Sequence, residues 1–464
     1  MRKLSSTLFL LVWALPVWPV TFDDPLRSEA QLPLAPSAAY RGRDSGPPCV
    51  DLQARLTRLL TPADAIDLAL CNHPQTREVW AASRAQAAQL GIARAAWLPG
   101  LNGSLGQTRY AYDENGYTKR AASLNLSWLI YDFGQRAASE NNAEALLAAV
   151  AATQDATVQS LFLAALQAYY TAQASQSAVV AAQMAERSAA EALAAAEARH
   201  AVGVATPADR LQAQTAYSQA SLNRIRAEGD ARNAQGALAF ALGFPAGQRF
   251  QLAEPQPLPA TGAFQRDVDA LITAAQAQRP DLKAADAQLK AAQASIDLAR
   301  AQGRPNLTLN GGPLWQESAG TTLRGNTLGL TLNVPIFTGF DNTYRVRAAE
   351  AQSDVKQAQR DRLRNQVALD VWKAYQSLST ASQSLKTSAD LVASAEQSER
   401  VALGRYKAGV GSVLDVLSAQ SALASARVQR IQAEMDWNVY RASLAQAMGS
   451  LDYSLLQGAA EGKP

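Results

Sequence analysis

Two kinds of hydrophobic pattern succeed one another along this chain of 464 residues. Most of the sequence carries apolar side chains at every third or fourth position, which predicts helices. After Pro99, and again after Pro305, the period changes to two, which predicts four strands of about ten residues in two pairs. Apolar residues alternate with polar or small ones in these segments: Leu101, Leu105, Ala122, Leu124, Leu126, Trp128, Ile130, Leu307, Leu309, Leu328, Leu330, Leu332 and Val334.

Strands of about ten residues are long enough to cross a membrane when they are tilted. Aromatic residues at or near the strand ends would suit a membrane interface: Tyr110, Tyr112, Tyr117, Trp128, Tyr131, Trp315 and Phe337. A soluble hairpin with one wet face explains the same alternation. The strands alone therefore leave both interpretations open.

A glycine-containing turn follows each strand pair and introduces a very long helix, over residues 135–202 and 341–408. At about 1.5 Å per residue, each helix would be on the order of 100 Å long. No compact domain needs helices of that length. The abundant small residues allow close packing, which favours a cylinder of many helices over a two-stranded leucine zipper.

Each long helix ends in a sharp turn, and a return helix follows. The turns combine a glycine that can end a helix in the left-handed conformation, a hydroxyl residue that can cap the next helix, and an aspartate three positions later. These residues are Gly203, Thr206 and Asp209 in the first turn and Gly409, Gly411, Ser412 and Asp415 in the second.

The chain contains this module twice, 206 residues apart and without a gap. Pro280 aligns with Pro74 and Gly449 with Gly243 (280 − 74 = 206 and 449 − 243 = 206). We assign the first copy to residues 61–249, a Pro-rich linker to 250–262, the second copy to 263–449 and a carboxy-terminal tail to 450–464. The predicted fold class is mainly α with membrane β strands and an internal two-fold repeat.

The amino terminus is typical of an export signal, because Arg2 and Lys3 precede an apolar run over residues 8–20 that is too short for a stable membrane-spanning helix. We assign residues 1–20 to a signal peptide and the Pro-rich residues 21–60 to an extended arm. No later stretch reaches about 18 consecutive apolar residues, so we expect no helical membrane span in the mature protein.

The two cysteines, Cys49 and Cys71, lie in a chain that carries an export signal. Export favours oxidation, so we predict a disulfide that ties the arm to the first helix. Two unpaired thiols are the alternative.

Composition and motifs exclude several kinds of function. The net charge of +3, with 18% charged residues, does not favour nucleic-acid binding. The only histidines, His73 and His200, lack the neighbouring ligands of a metal site. Nucleophile elbows, phosphate-binding loops and dinucleotide fingerprints are absent from the sequence. We therefore predict no catalytic site, no metal and no cofactor, and expect that the protein is not an enzyme.

The duplicated module and its turns resemble the TolC family of outer-membrane efflux proteins. The resemblance covers residues 60–450 and includes the turn sequences RHAVG at 199–203 and RYKAG at 405–409, followed by Asp209 and Asp415. Residues 69–77, ALCNHPQTR, resemble the first-helix signature of the type I secretion branch of that family.

The resemblance implies a homotrimer in the outer membrane of a Gram-negative bacterium. Each protomer would give four strands to a shared twelve-stranded β-barrel, continued by a long α-helical tunnel through the periplasm. Such a protein is a passive exit duct whose periplasmic tip is opened by a periplasmic adaptor and an inner-membrane transporter of the ABC, RND or MFS type. The cargo stays open, with polypeptide slightly favoured. The alternative is a non-conducting helical scaffold of the envelope.

The resemblance also assigns roles at the tip. Asp209 and Tyr406 match residues that bond the closed gate, and Asp415 matches an acidic ring. Gly411 and Ser418 depart from the family pattern, which implies fewer latch contacts and weaker cation block. Adaptor docking is implied for Gly203, Thr206, Gly409, Gly411 and Ser412. Helix capping alone is the alternative for the aspartates and for these turns.

Overall fold

The computed structural model describes residues 24–32, 58–111, 116–255 and 267–451. These ranges form eight α-helices and four strands: α1 (Pro62–Asn72), α2 (Pro74–Ala95), β1 (Gly100–Ala111), β2 (Gly116–Tyr131), α3 (Gln135–Ala201), α4 (Pro207–Ala241), α5 (Val268–Gln278), α6 (Pro280–Gln302), β3 (Asn306–Ser318), β4 (Thr321–Asn333), α7 (Asp341–Lys407) and α8 (Val413–Ala447). The proposed signal peptide, Cys49, and most of the linker and tail lie outside the described residues.

Equivalent helices of the two copies begin the same distance apart. The first residues of α1 and α5, α3 and α7, and α4 and α8 differ by 206 (268 − 62, 341 − 135 and 413 − 207). The long helices α3 and α7 have 67 residues each, which corresponds to about 100 Å. The internal repeat of the sequence is therefore a repeat of structure.

The helix boundaries follow from local chemistry. Thr61 and Asp64 form a reciprocal capping box at the start of α1. His73 has extended backbone angles (φ −66°, ψ 132°), because a residue before proline is disfavoured in the helical region. The chain thus breaks between α1 and α2, and Pro74 occupies the first turn of α2, where no backbone N–H is needed.

The long helices pack along other helices for much of their length. Helix α3 lies against α4, α6 and α8, and α7 lies against α6 and α8. The main core of the first copy buries Phe162 and Tyr169 of α3 against Ile66 of α1 and Leu238 of α4. The Tyr169 hydroxyl donates to the Leu60 carbonyl at 3.0 Å, so its polar end is satisfied.

Among the described helices, α3 alone is long and apolar enough, by length and composition, to cross a membrane. Its most apolar window has a mean hydropathy of 1.3, and 39% of that window is buried within the protein. The helix packs against α4, α6 and α8 within the described chain.

The part of the predicted extended arm that the structure describes includes one turn of 3-10 helix, Ser28–Gln31. The Asp24 carboxylate accepts hydrogen bonds from the backbone N–H groups of Ser28 and Glu29 at 2.8 and 2.9 Å. This local side-chain cap gives the segment a turn that its weak hydrophobic pattern did not predict.

The four strands form one antiparallel sheet in the order β1-β2-β3-β4. The central β2–β3 ladder joins the two copies of the repeat. Strands β1 and β4 are the edges of this sheet, so each leaves one side of its backbone unpaired within the described chain. All four strands meet the helices at one end of the sheet, and the two hairpin turns lie at the other.

Candidate functional site

The site predicted from the sequence lies at the end of the helices remote from the sheet, in the two turns that join α3 to α4 and α7 to α8. Gly203 and Gly409 end the long helices with φ angles of 74° and 80°. The following N–H groups, of Val204 and Val410, donate to carbonyls five residues earlier at 2.9 and 3.0 Å. These hydrogen bonds form a Schellman motif at the end of each helix, and this motif favours glycine at its left-handed position.

Both return helices begin with a reciprocal capping box. Thr206 and Asp209 form the box of α4, and Ser412 and Asp415 form that of α8. The Asp209 Oδ2 atom accepts from the Thr206 backbone N–H at 2.9 Å and from its hydroxyl at 2.8 Å. The Asp415 Oδ2 atom accepts from the Ser412 N–H at 3.3 Å. Both aspartates therefore stabilise the tip turns locally.

The hydrogen bonds from the Thr206 backbone and hydroxyl lower the pKa of the Asp209 carboxyl below its ordinary value of 3.8. Because the folded state holds the ionised form, this capping interaction is fully present above that value. It is lost as the pH falls through the lowered pKa. Asp209 is thus an anion throughout the neutral range.

Tyr406 lies at the centre of a small cluster that joins three helices. Its side chain is buried against Val413 and Val416 of α8. The guanidinium of Arg199, in the last turn of α3, lies 4.1 Å from the centre of the Tyr406 ring. The same guanidinium donates to the Tyr406 carbonyl at 2.6 Å. Tyr406 and Arg199 therefore connect α3 of the first copy to α7 and α8 of the second.

The structure brings Tyr406 together with Arg199, and gives no hydrogen bond between Tyr406 and Asp209 within the described chain. The sequence indicates Arg199 only as the first residue of the turn sequence RHAVG. A basic residue in the last turn of a helix is common. Only the contact of Arg199 with Tyr406, far away in sequence, indicates a functional role. The gating roles of Asp209, Tyr406 and Asp415 stay predictions.

Close packing of the surrounding backbone favours glycine at position 411. A Cβ atom at this position would lie 3.1 Å from the Arg405 Cβ and from the Tyr406 backbone nitrogen. The second turn therefore packs closely against the end of α7. A side chain at position 411 would push the backbone of α7 away from the turn. The adaptor-docking role of the turn glycines, Thr206 and Ser412 stays a prediction as well.

The sheet at the other end of the helices has two chemically different faces. One face carries the rows Leu101–Leu126–Gly311–Leu328 and Trp128–Leu309–Leu330, as the strand register sets them. The leucines of the two edge strands are largely exposed in the single chain, with Leu328 at 80% and Leu330 at 61%, whereas Leu126 and Leu309 are half-buried. Exposed apolar surface of this extent marks contact with lipid or with another chain.

The opposite face is polar and almost without charge. Its residues are mostly small hydroxyl and amide side chains: Asn102, Ser104, Thr108, Ser123, Asn125, Ser127, Thr308, Asn310, Gln316, Thr321, Thr327, Thr331 and Asn333. Ser104 and Ser123 hydrogen-bond to each other across the strands at 2.7 Å. Lys119 is the one charged side chain on this face among the described strand residues.

Two further predictions bear on chemistry. Cys71 is bonded in a disulfide, and the other cysteine of the chain, Cys49, lies outside the described residues, so the pairing stays a prediction. Among the described residues no group of three or more His, Cys, Asp or Glu side chains is arranged to hold a metal ion.

The chain is similar to known outer-membrane proteins over most of its length. The sequence model of the family described as "Outer membrane efflux protein" matches residues 65–244 and 271–450. Protein CyaE of Bordetella pertussis is 32% identical over 424 residues, which cover 89% of this chain and 88% of that protein. Outer membrane protein TolC of Vibrio cholerae is 24% identical over 400 residues, covering 82% and 88%.

The fold is shared with solved structures. The outer membrane protein VceC of Vibrio cholerae superposes with a TM-score of 0.73 at 21% identity, over 84% of this chain and 96% of that one. Channels of this family lie in the Gram-negative outer membrane, extend through the periplasm, and work with adaptor and inner-membrane pump partners. The chain therefore belongs to the outer membrane efflux protein family, the TolC family, and is an outer-membrane exit duct for an efflux or secretion system.

Proposed function

We propose that three copies of this chain assemble into one passive channel, with a twelve-stranded barrel in the outer membrane and the long helices as a periplasmic tunnel. The observation that carries the proposal is the four-stranded sheet, which combines one apolar face with two unpaired edges. Unpaired strand edges are not tolerated in lipid. Pairing of β4 of one copy with β1 of the next satisfies both edges and closes the wall.

The apolar face of the sheet faces lipid, and the polar face lines the pore. A pore wall of neutral hydroxyl and amide groups provides no catalytic group and little means of selecting cargo. Drive and selectivity come from an inner-membrane pump of the ABC, RND or MFS class and its periplasmic adaptor, which docks at the tip turns around Gly203 and Gly409. Type I secretion of polypeptide is the favoured use, because residues 69–77 resemble the signature of that branch.

The test is conductance of the purified protein in planar lipid bilayers. A heat-sensitive trimer that inserts and gives discrete current steps is the expected result. A folded, solitary subunit, or a trimer that never conducts even after tip substitutions, would instead favour the helical envelope scaffold.

Asp415→Asn is expected to weaken cation block of the channel. Asp415 is exposed, and its carboxylate accepts a single bond from Ser412, so three copies form a ring of free negative charge at the tip. Loss of three charges should raise the blocking concentration of cobalt hexammine about tenfold. The measurement is single-channel current against blocker concentration.

Asp209→Asn is the matched control for Asp415→Asn. Asp209 has the same position in its capping box, but its carboxylate is held by both the N–H and the hydroxyl of Thr206. Asp209→Asn should leave the block unchanged, because the family resemblance places Asp209 at the closed gate and not in the acidic ring. Block that does not change in Asp415→Asn would assign Asp415 to capping alone.

A further inference from the structure

Three arginines lie on the lipid-facing side of the sheet, near its hairpin end. We propose that Arg109, Arg120 and Arg324 bind the phosphate groups of outer-leaflet lipids. This inference rests on the proposed barrel, since the face in question is the one assigned to lipid.

The strand register places the three arginines on the apolar face. Arg120 pairs with Gln107 of β1 and with Glu317 of β3. Its side chain contacts both, with Nε donating to the Gln107 Oε1 at 3.4 Å and Nη1 lying 3.5 Å from the Glu317 Oε2. Gln107 alternates with Leu105 and Leu101 on the same side of β1, so these contacts lie above the leucine rows.

Arg109 and Arg324 flank this row on the same face. Arg109 is two residues beyond Gln107 towards the hairpin turn (109 − 107 = 2). On β4, Thr322 pairs with Glu317 and so lies in the row of Arg120. Arg324 is two residues closer to the helices than Thr322 (324 − 322 = 2). From β1 to β4, the arginines thus lie progressively closer to the helices.

The hairpin-side edge of the apolar surface also lies progressively closer to the helices from β1 to β4. On β1 it reaches Leu105, whereas on β4 the row of Leu105 is occupied by Arg324 and the leucines begin at Leu328. Strands of membrane barrels are tilted by about 35–45°, and a tilt in the sense of this shift towards the helices turns the diagonal margin of the sheet into a level ring in the closed barrel. The arginines therefore form a belt at one height, directly above the apolar surface.

The two margins of the apolar surface differ in chemistry. The helix-side margin carries aromatic residues such as Trp128 and Phe337, and Trp128 donates to the Trp97 carbonyl at 3.0 Å. Aromatic side chains suit any lipid interface. The hairpin side, which faces away from the periplasmic helices and therefore outwards, carries guanidinium groups, whose planar donors match phosphate oxygens.

Among the described strand residues, this face has more cations than carboxylates. Glu317 is the one carboxylate on this face of the described strands, and it pairs with Arg120. Arg109 and Arg324 form no ion pair with another described residue. Asp113 and Glu114, between β1 and β2 in sequence, are outside the described residues.

Barrel closure brings the two unpaired arginines towards one another. Arg109 is on β1 and Arg324 on β4, the two edge strands that meet between neighbouring copies. Like charges side by side are unfavourable unless an anion lies between them. A lipid phosphate at this seam supplies that anion, and Trp315, which pairs with Arg324, offers an apolar surface for the adjoining lipid.

The experiment measures binding of lipid A, which carries two phosphates, to the detergent-purified trimer by native mass spectrometry. The full chain is compared with the triple variant Arg109→Gln, Arg120→Gln, Arg324→Gln. Each basic residue at an anionic lipid surface contributes about fivefold in affinity, so the triple variant should bind on the order of a hundredfold more weakly. Lys119→Gln, at the same end of β2 but on the pore side, should bind as the unchanged protein does.

Three further measurements identify the ligand, and a single variant allows for misfolding of the triple variant. Dephosphorylated lipid A and phosphatidylcholine should bind weakly, and inorganic phosphate should not displace bound lipid A. Should the triple variant fail to assemble, Arg324→Gln alone should weaken binding about fivefold.

Equal binding by the arginine variants, equal binding of dephosphorylated lipid A, or displacement by inorganic phosphate would overturn the belt. Conductance of the same preparations separates the two proposals. A conducting channel without lipid A binding refutes only the belt, whereas failure of the unchanged protein to form a trimer refutes the barrel itself.

Discussion

Leu330→Arg is expected to prevent assembly of the channel in membranes, whereas Thr331→Arg is expected to leave assembly intact. The two residues are neighbours on β4, but the register directs Leu330 to the side of Trp128 and Leu309, and Thr331 to the opposite side. An arginine facing lipid near the bilayer midplane costs about 2–4 kcal/mol, so three copies lose about 6–12 kcal/mol. On the pore side the same arginine stays in water.

The measurement is the fraction of heat-modifiable trimer in purified membranes, followed by single-channel recording of whatever assembles. Leu330→Arg should leave almost no trimer. Thr331→Arg should form trimers whose pore, with three added positive charges on a nearly neutral wall, favours anions and carries less cation current. Assembly of Leu330→Arg together with loss of Thr331→Arg would show that the two faces are assigned the wrong way round.

The outcome for these two residues tests how much of the fold is encoded locally in the sequence. Alternation with a period of two is enough by itself to place Leu330 and Thr331 on opposite faces of a strand. The pairing of β2 with β3, which joins the two copies, does not follow from the alternation. Pairing partners depend on contacts far apart in sequence, so the rows of the apolar face, and the arginines above them, emerge only from the register.

The tip shows the same division between local and distant information. Capping of α4 by Thr206 and Asp209 is a local pattern that four consecutive positions are enough to predict. The contact between Arg199 and Tyr406 spans 207 residues. Neither residue has a neighbour in sequence that indicates the other, so the sequence alone does not predict this contact.

The repeat itself shows where the two copies differ. Arg405 is the counterpart of Arg199, and His200 is the counterpart of Tyr406 (405 − 199 = 206 and 406 − 200 = 206). Arg405 is exposed, whereas Arg199 is half-buried over the tyrosine ring. One copy thus supplies the arginine and the other the tyrosine of a contact that has no pseudo-symmetric mate within the described tip. A bond between the two copies is suited to holding them together in a closed state.

We expect Arg199→Ala to open the tip and Arg405→Ala to leave it closed. A half-buried cation–π contact and a hydrogen bond to a carbonyl together contribute about 1–2 kcal/mol. If the three copies open together, their loss shifts the equilibrium by about 3–6 kcal/mol, a hundredfold or more in favour of the open state. Both substitutions remove the same charge from the last turn of a long helix, so the exposed Arg405 controls for helix-end electrostatics.

Single-channel conductance in planar bilayers is the measurement, with Tyr406→Phe and Tyr406→Ala as companion variants. Tyr406→Phe keeps the ring beneath the guanidinium and should conduct as the unchanged protein does, whereas Tyr406→Ala should resemble Arg199→Ala. An open channel in Tyr406→Phe would instead assign the latch to a hydrogen bond of the tyrosine hydroxyl. Equal conductance of Arg199→Ala and Arg405→Ala would remove Arg199 from the gate, because the shared loss of charge would then account for the whole effect.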